Sequence, residues 1–347
     1  MIRFNCDYNE GTHPAILERL AKTNMEQIPG YGEDHYCRQA AQLLREKCQA
    51  PQADVHFLVG GTQTNLTVIA SALKPYQCVI SADSGHINVH ETGAIEATGH
   101  RIISVPGTEG KISSAQIQQV CDAHYTEDNP EFSAQPKMVY ISFPTEYGTL
   151  YTKQELQELH DVCQKNNLLL FADGARLGYA LTAKKNTVSL PELAALCDVF
   201  YIGGTKVGAL FGEAVVIMNP DLKKDFRYYI KQRGAMLAKG WLLGLQFLTL
   251  FEDDLYLNIA RRANEFAARI KKAFQKAGFP LLYNSPTNQQ FPILPNEMVK
   301  KLEKKYVLAH FGHPDDKHTV IRVCTSWATT EEHVAALEQD IADLSSL

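Results

Sequence analysis

The chain has 347 residues, 45% of them hydrophobic and 21% charged, with a net charge of −5. Such a chain buries a large core and a smaller second one, as a globular enzyme does, and its acidic balance argues against a nucleic-acid or anionic-membrane surface. No run approaches the roughly 18 apolar residues that a membrane span needs, and the start, Met1-Ile-Arg-Phe-Asn-Cys-Asp7, has no apolar leader. A cytoplasmic location and no membrane partner are the expectation. The eight cysteines and twelve histidines are dispersed without C-x-x-C or H-E-x-x-H spacing, so no metal and no disulfide framework is expected.

In chain order, apolar runs predict strands at 55–59, 78–82, 101–105, 138–142, 168–172, 199–203 and 214–218. Helical patterns lie between most of them, including 152–166 and 189–197, and Ser113-Ser-Ala-Gln reads as a capped helix start. Such alternation predicts an α/β fold, with a mainly parallel sheet covered by helices on both faces. From about Lys223 long helices take over. One over 254–277 carries apolar residues at 255, 259, 263, 266, 267 and 270 and closes at Gly278. Short strands at 280–283, 290–294, 307–311 and 320–323, a helix at 297–305, a polar turn at Asp315-Asp-Lys-His318 and a last helix from Thr330 follow. The expected division is a large domain over 1–245 and a small α/β domain over 246–347.

Three segments carry chemistry. Leu168-Leu-Leu-Phe-Ala-Asp173 ends a buried-type strand on an acid, which places that acid at the carboxyl edge where open α/β sheets bind ligands. Asp198-Val-Phe-Tyr-Ile-Gly-Gly-Thr-Lys206 places a lysine among small residues just after a second such strand. Val59-Gly-Gly-Thr-Gln-Thr-Asn65 leads from a strand into a helix, with free N–H groups and hydroxyls suited to a phosphate. Alone, that loop also reads as a plain strand-to-helix turn. Together the three point to pyridoxal 5'-phosphate, which needs an amine to bond to, an anchor for its phosphate, and a carboxylate to keep its ring nitrogen protonated.

Tyr31-Gly-Glu-Asp34, Gly60-Gly-Thr-Gln-Thr-Asn-Leu66, His86, Asp173-Gly-Ala-Arg176, Thr205-Lys206, Thr287-Asn288 and Arg322 occur in an order that resembles the threonine aldolase / β-eliminating lyase family over nearly the whole chain. The resemblance implies an aspartate-aminotransferase-like fold, pyridoxal phosphate, and a homodimer or homotetramer with sites at the subunit interface. It implies Lys206 as the lysine that bonds the cofactor and Asp173 as the partner of its ring nitrogen. Gly61 and Thr62 resemble the phosphate-loop pair, with Thr205 a further hydroxyl donor, and His86 takes the place of the histidine stacked on the ring. Arg176 and Arg322 match the arginines that hold a substrate carboxylate, a task suited to a planar guanidinium. The bland readings are a loop histidine at 86, an Arg176 that pairs with Asp173, a strand-surface arginine at 322 and a packing tyrosine at 31.

Three departures bear on substrate choice. Cys6 stands where the family has a serine near the substrate carboxylate. Glu146, in Pro144-Thr-Glu-Tyr147, stands where a histidine contacts the substrate hydroxyl. In Lys231-Gln-Arg-Gly-Ala-Met-Leu-Ala-Lys239, the phosphate-binding arginine of the family is out of register, with Lys231, Arg233 or Lys239 as replacements. The implied reaction cleaves a β-hydroxy-α-amino acid to glycine and an aldehyde, with His86, Glu146 or a water between them as the base. β-Elimination, transamination, and a pyridoxal-binding protein without turnover are the competing readings.

Overall fold

The computed structural model describes residues 1–344. The chain opens with a two-residue strand, β1 (Ile2–Arg3), and then builds seven strands: β2 (Asp54–Leu58), β3 (Gln77–Ala82), β4 (Arg101–Val105), β5 (Gln135–Ser142), β6 (Leu169–Asp173), β7 (Val199–Gly203) and β8 (Glu213–Ile217). They form one sheet in the order β2-β8-β7-β6-β5-β3-β4. The pairs among β7, β6, β5, β3 and β4 are parallel, whereas β8 runs antiparallel to both neighbours. The link from β7 to β8 is too short for a crossover helix, so the chain must turn back beside the strand it has just left. Glu213, the first residue of β8, thereby enters at the carboxyl edge, opposite Gly203.

Both faces of the sheet are buried, so its strands are apolar at nearly every position. Ile80, Val139, Ile141, Leu170, Ala172, Phe200 and Ile202 point into the larger core, under the helices His35–Lys47, Ser114–Tyr125, Lys153–Lys165 and Trp241–Glu252. Their alternates Val79, Met138, Tyr140, Leu169, Phe171, Val199 and Tyr201 point into a second core under the helices Gly61–Ala72 and Phe226–Gln232. Asp173 continues the second set, and this alternation aims its carboxylate at the helix that starts with Gly61. The expected cap at Ser113 is present as a full capping box with Gln116, and Thr152/Glu155 and Ser189/Glu192 repeat it.

The C-terminal part contains β9 (Gln289–Gln290), β10 (Ile293–Pro295), β11 (Tyr306–Val307), β12 (Ala309–Asp315) and β13 (His318–Cys324). β10, β12 and β9 are all antiparallel to β13, and β12 and β13 form a hairpin over the expected polar turn. The strand expected over 280–283 is reduced to one bridge between Leu281 and Pro292. Pro280 has no N–H for a ladder, and Tyr283 instead stacks on Tyr147 at 4.1 Å. The run expected over 290–294 is split at Phe291-Pro292, again by a proline. Helix Leu255–Lys276 joins the two parts: Tyr256, Ile259, Ala260 and Ala263 belong to the large core, Phe266, Ile270 and Phe274 to the small one. The chain start returns to this small part, where β1 pairs with β11 and Phe4 is buried against Tyr306. Residues 5–8 are thus drawn across the junction between the two cores.

Candidate active site

A cavity of about 300 Å³ opens at the carboxyl edge of the sheet, lined by Tyr8, Gly60, Gly61, Thr62, His86, Glu146, Asp173, Arg176, Lys206 and Glu213, among others. The turns that follow β6 and β7 meet tightly there. A Cβ on Gly174 would lie 1.9 Å from the carbonyl oxygen of Tyr201, and one on Gly203 would lie 2.3 Å from that of Ala175. Only glycine permits this approach, and it brings Asp173 and Lys206 to one wall.

Asp173 is buried and held on both oxygens. Oδ1 accepts from the N–H of Ala175 at 2.9 Å; Oδ2 accepts from Asn65 Nδ2 at 3.1 Å and from the Tyr140 hydroxyl. Burial by itself would raise its pKa, yet the nearby His86 and the bonds from Tyr140, Tyr201 and Ala175 outweigh it and hold the carboxyl below its ordinary value. Asp173 therefore stays charged. His86 Nδ1 lies 2.7 Å from Oε1 of Glu91, a carboxylate with a fully buried side chain that also accepts from Asn65 Nδ2 at 2.7 Å. Burial opposes a charge on His86, but the Glu91 bond and the Glu146 and Asp173 carboxylates raise its pKa.

Among the described residues, none hydrogen-bonds to or pairs within 4 Å with Lys206 Nζ, which sits 6.0 Å above the Tyr8 ring. Burial and the Arg176 guanidinium lower its pKa, against Asp7, Glu146 and Asp173. A lowered lysine in a cavity is a nucleophile. The Thr205 hydroxyl does not face the cavity freely; it donates to Glu213 Oε1 at 2.9 Å. Gly61 and Thr62 begin a helix without a side-chain cap, and a Cβ on Gly61 would meet the Tyr201 hydroxyl at 3.2 Å. The helix start therefore offers its N–H groups to an anion. Gln63 ties this turn to the Arg233 carbonyl at 3.1 Å, and Arg233 Nε is buried without a partner among the described residues. Amine, charged acid, open helix start and imidazole around one cavity fit pyridoxal phosphate in size and in chemistry.

Arg176 reaches the cavity but does not pair with Asp173. Its Nε and Nη2 donate to the two oxygens of Asp7 at 2.7 and 2.9 Å, and Asn288 Nδ2 adds a bond to Asp7 at 2.9 Å. Burial alone would raise the Asp7 carboxyl, but Arg176, Lys206 and Asn288 bring it down to about 2. Arg322 stands back from the cavity lining and donates from Nη2 to the Asn5 carbonyl at 3.0 Å, while its Nε is buried without a partner among the described residues. Cys6 is buried and donates to Asn9 Oδ1 at 3.2 Å. Glu146 accepts from the Ser142 hydroxyl at 3.0 Å. Tyr31 lies elsewhere: exposed, with φ of 62°, beneath Lys231 Nζ at 5.1 Å and beside a different cavity. Thus Lys206, Asp173, His86, Glu146, Gly61, Thr62 and Arg176 converge, whereas Tyr31 and Cys6 do not reach the cavity wall and Arg322 stands just behind it, close enough for its charge to act on the lining residue Tyr8. Asp7, Asn65, Glu91 and Glu213 complete the site without having been expected. An isolated acid heading the otherwise apolar strand Glu213-Ala-Val-Val-Ile217 was the one signal among them visible in sequence.

Among the described residues, no three His, Cys, Asp or Glu side chains gather as a metal site, and no helix is long and apolar enough to cross a membrane. Comparison with known proteins adds identity to the geometry. Residues 6–297 match the family model described as beta-eliminating lyase. The low specificity L-threonine aldolase of Pseudomonas aeruginosa is 28% identical over 98% of this chain and 96% of its own. The solved structure of Leishmania major threonine aldolase is 44% identical, covers 99% of this chain and 100% of its own, and superposes with a TM-score of 0.97. A Thermus thermophilus aspartate aminotransferase, 14% identical over 99% and 91% of the two chains, shares the fold with a TM-score of 0.71. This chain belongs to the beta-eliminating lyase family and is a pyridoxal-phosphate-dependent lyase.

Proposed function

We propose that the chain cleaves β-hydroxy-α-amino acids of the threonine type to glycine and an aldehyde. The observation that carries this reading is the unpaired Lys206 amine beside the charged Asp173 carboxylate in one cavity, in a chain so close to a threonine aldolase structure. Bound pyridoxal phosphate supplies an electron sink for the pair of electrons left on Cα when the Cα–Cβ bond breaks. Lys206 provides the amine that holds the cofactor. Asp173 keeps positive charge on the ring nitrogen, His86 covers the ring, and Gly61 and Thr62 hold the phosphate, with Arg233 as a further donor.

The substrate carboxylate falls to the guanidinium donors left over: Nη1 of Arg176, whose other edge Asp7 fixes, and Arg322 with its orphaned Nε. Glu91 favours a charged His86, so Glu146 is the acceptor for the β-hydroxyl proton. The assembly we propose is a homodimer or a homotetramer of dimers, in which the exposed Tyr31 and the neighbouring Lys231 face a partner's site. All eight cysteines are free and buried, which suits a reducing compartment such as the cytoplasm. The deciding experiment offers L-threonine, L-allo-threonine, L-serine and L-cysteine to the purified protein. Acetaldehyde and glycine from either threonine are expected; pyruvate or a keto acid alone would replace this reading by β-elimination or transamination.

A further inference from the structure

Glu213 lies in the cavity with Lys206, yet the reaction as described gives it no task. It is buried, paired in the sheet with Gly203 of β7 on one side and Leu58 of β2 on the other, and each carboxyl oxygen receives one bond. Oε2 accepts the N–H of Gly204 at 3.1 Å and Oε1 accepts the Thr205 hydroxyl at 2.9 Å. Those are the two residues immediately before Lys206. The Thr205 hydroxyl in turn accepts the N–H of Gly212 at 3.0 Å, closing the loop between β7 and β8 on itself.

An amide or a hydroxyl would make a clamp of this kind without the desolvation penalty that a carboxyl meets here. No cation lies within 4 Å of Glu213 among the described residues. The charges that bear on it are the Lys206 amine and the Asp173 carboxylate, and the hydroxyls of Thr205, Tyr201 and Tyr256 complete its titratable and polar surroundings. Lys206 in turn feels Arg176, Asp7, Glu146 and Asp173. We propose that Glu213 is a positioning residue for Lys206: it pins the two residues before the lysine, and its own ionisation governs how readily the buried nitrogen holds a proton. Burial pushes its carboxyl up to about 8, against the Thr205 bond and the Lys206 charge, while burial pushes Lys206 down. Burial thus acts in opposite directions on acid and amine and draws their titrations toward each other, which suits a nitrogen that must be uncharged to attack a carbonyl and must carry a proton once released.

This inference rests on Lys206 as the lysine that bonds pyridoxal phosphate, and the test separates the two. The pH at which the visible band of the cofactor-loaded protein changes is compared between the native chain and Glu213→Gln. A carboxylate near a cationic nitrogen raises its pKa, so its loss is expected to move that midpoint down by about one pH unit or more. A band in both proteins with unmoved midpoints would overturn the role of Glu213 and leave the lyase reading intact. A borohydride-trapped lysine other than Lys206 would overturn the reading beneath it. Should Glu213→Gln not fold, the infrared spectrum of the native apoprotein decides. A protonated carboxyl band that persists at neutral pH and fades near pH 8 supports the proposal, and complete ionisation at neutral pH sinks it.

Discussion

The floor of the cavity and its rim are built to different standards. On the floor, Asp173 takes bonds from the helix at Gly61 (through Asn65), from β5 (through Tyr140) and from its own turn (through Ala175). On the rim, Arg322 has one bond to a backbone carbonyl and Glu146 one to a neighbouring serine. A network fed from several elements fixes geometry before any ligand arrives, which is what electrostatic preorganisation demands. A rim with free donors leaves substrate choice to the ligand and to a few side chains. Chemistry therefore belongs to the floor and specificity to the rim, and each substitution below asks whether that division holds.

The largest effect is expected from Lys206→Ala. Losing the nucleophile removes the covalent attachment of the cofactor and about 10⁴-fold or more of kcat, read from borohydride trapping and turnover. Cofactor bound as tightly and reduced as readily as in the native chain would contradict the floor as described. Asp173→Asn comes next. The amide retains the shape but not the charge, so a loss of kcat of roughly 10³–10⁴-fold with the cofactor still bound is expected. Near-native turnover would make Asp173 a structural acid.

Asp7 links floor to rim, and its effect is on stability. Asp7→Asn leaves the Arg176 guanidinium buried without its counter-charge, at a cost of about 3–5 kcal/mol in urea unfolding. The pH dependence has a definite sign. The folded carboxyl titrates at about 2 against 3.8 in the unfolded chain. Its contribution is complete above the unfolded value and is lost as pH falls from 3.8 toward 2, on the order of 2 kcal/mol. The variant must lack that acid-side loss; an unchanged slope there would deny the pair its role.

Arg322→Leu is expected to raise KM for threonine by roughly 10- to 100-fold, the worth of one charge-assisted contact of about 1.5–3 kcal/mol, with cofactor affinity unchanged. Weakened cofactor binding with unchanged KM would move Arg322 from the rim to the scaffold.

What the sequence disclosed follows the same division. Asp173 and Lys206 were legible because the first ends, and the second closely follows, a strand buried on both faces, a pattern with few alternatives. Gly60-Gly-Thr was legible because a helix start without a side-chain cap leaves its donors open. Glu213 was hidden as a site residue because its place depends on a strand reversal, and the strand pattern reads alike in either direction. Asp7 was hidden because it reaches Arg176 only after β1 pairs with β11, a contact between the two ends of the chain. Arg176 was found, but not that Asp7 occupies one edge of it. Tyr31 carries a family position yet lines a different cavity from Lys206 in one chain, since local pattern says nothing of how copies assemble.

Glu146 gives the finest test of floor against rim. Its carboxylate accepts from the Ser142 hydroxyl at 3.0 Å and lines the cavity, so it is placed to receive a hydroxyl proton, and a carboxylate is a weaker base than an imidazole. Glu146→His supplies a stronger base whose nitrogen lies elsewhere and whose uncharged ring no longer draws on Arg176 or Lys206. Because the two β-hydroxyl diastereomers present their oxygen to different sides of Cβ, moving the acceptor changes their rates unequally. We expect cleavage to persist and the ratio of kcat/KM for L-threonine over L-allo-threonine to shift by roughly 3- to 10-fold, about 1 kcal/mol of differential stabilisation. Because the Glu146 charge also bears on the Lys206 amine, the pH midpoint of the cofactor's visible band is expected to move down in the variant. An unchanged ratio would show that Glu146 never meets the hydroxyl, and an unmoved midpoint would show that rim and floor are electrically separate.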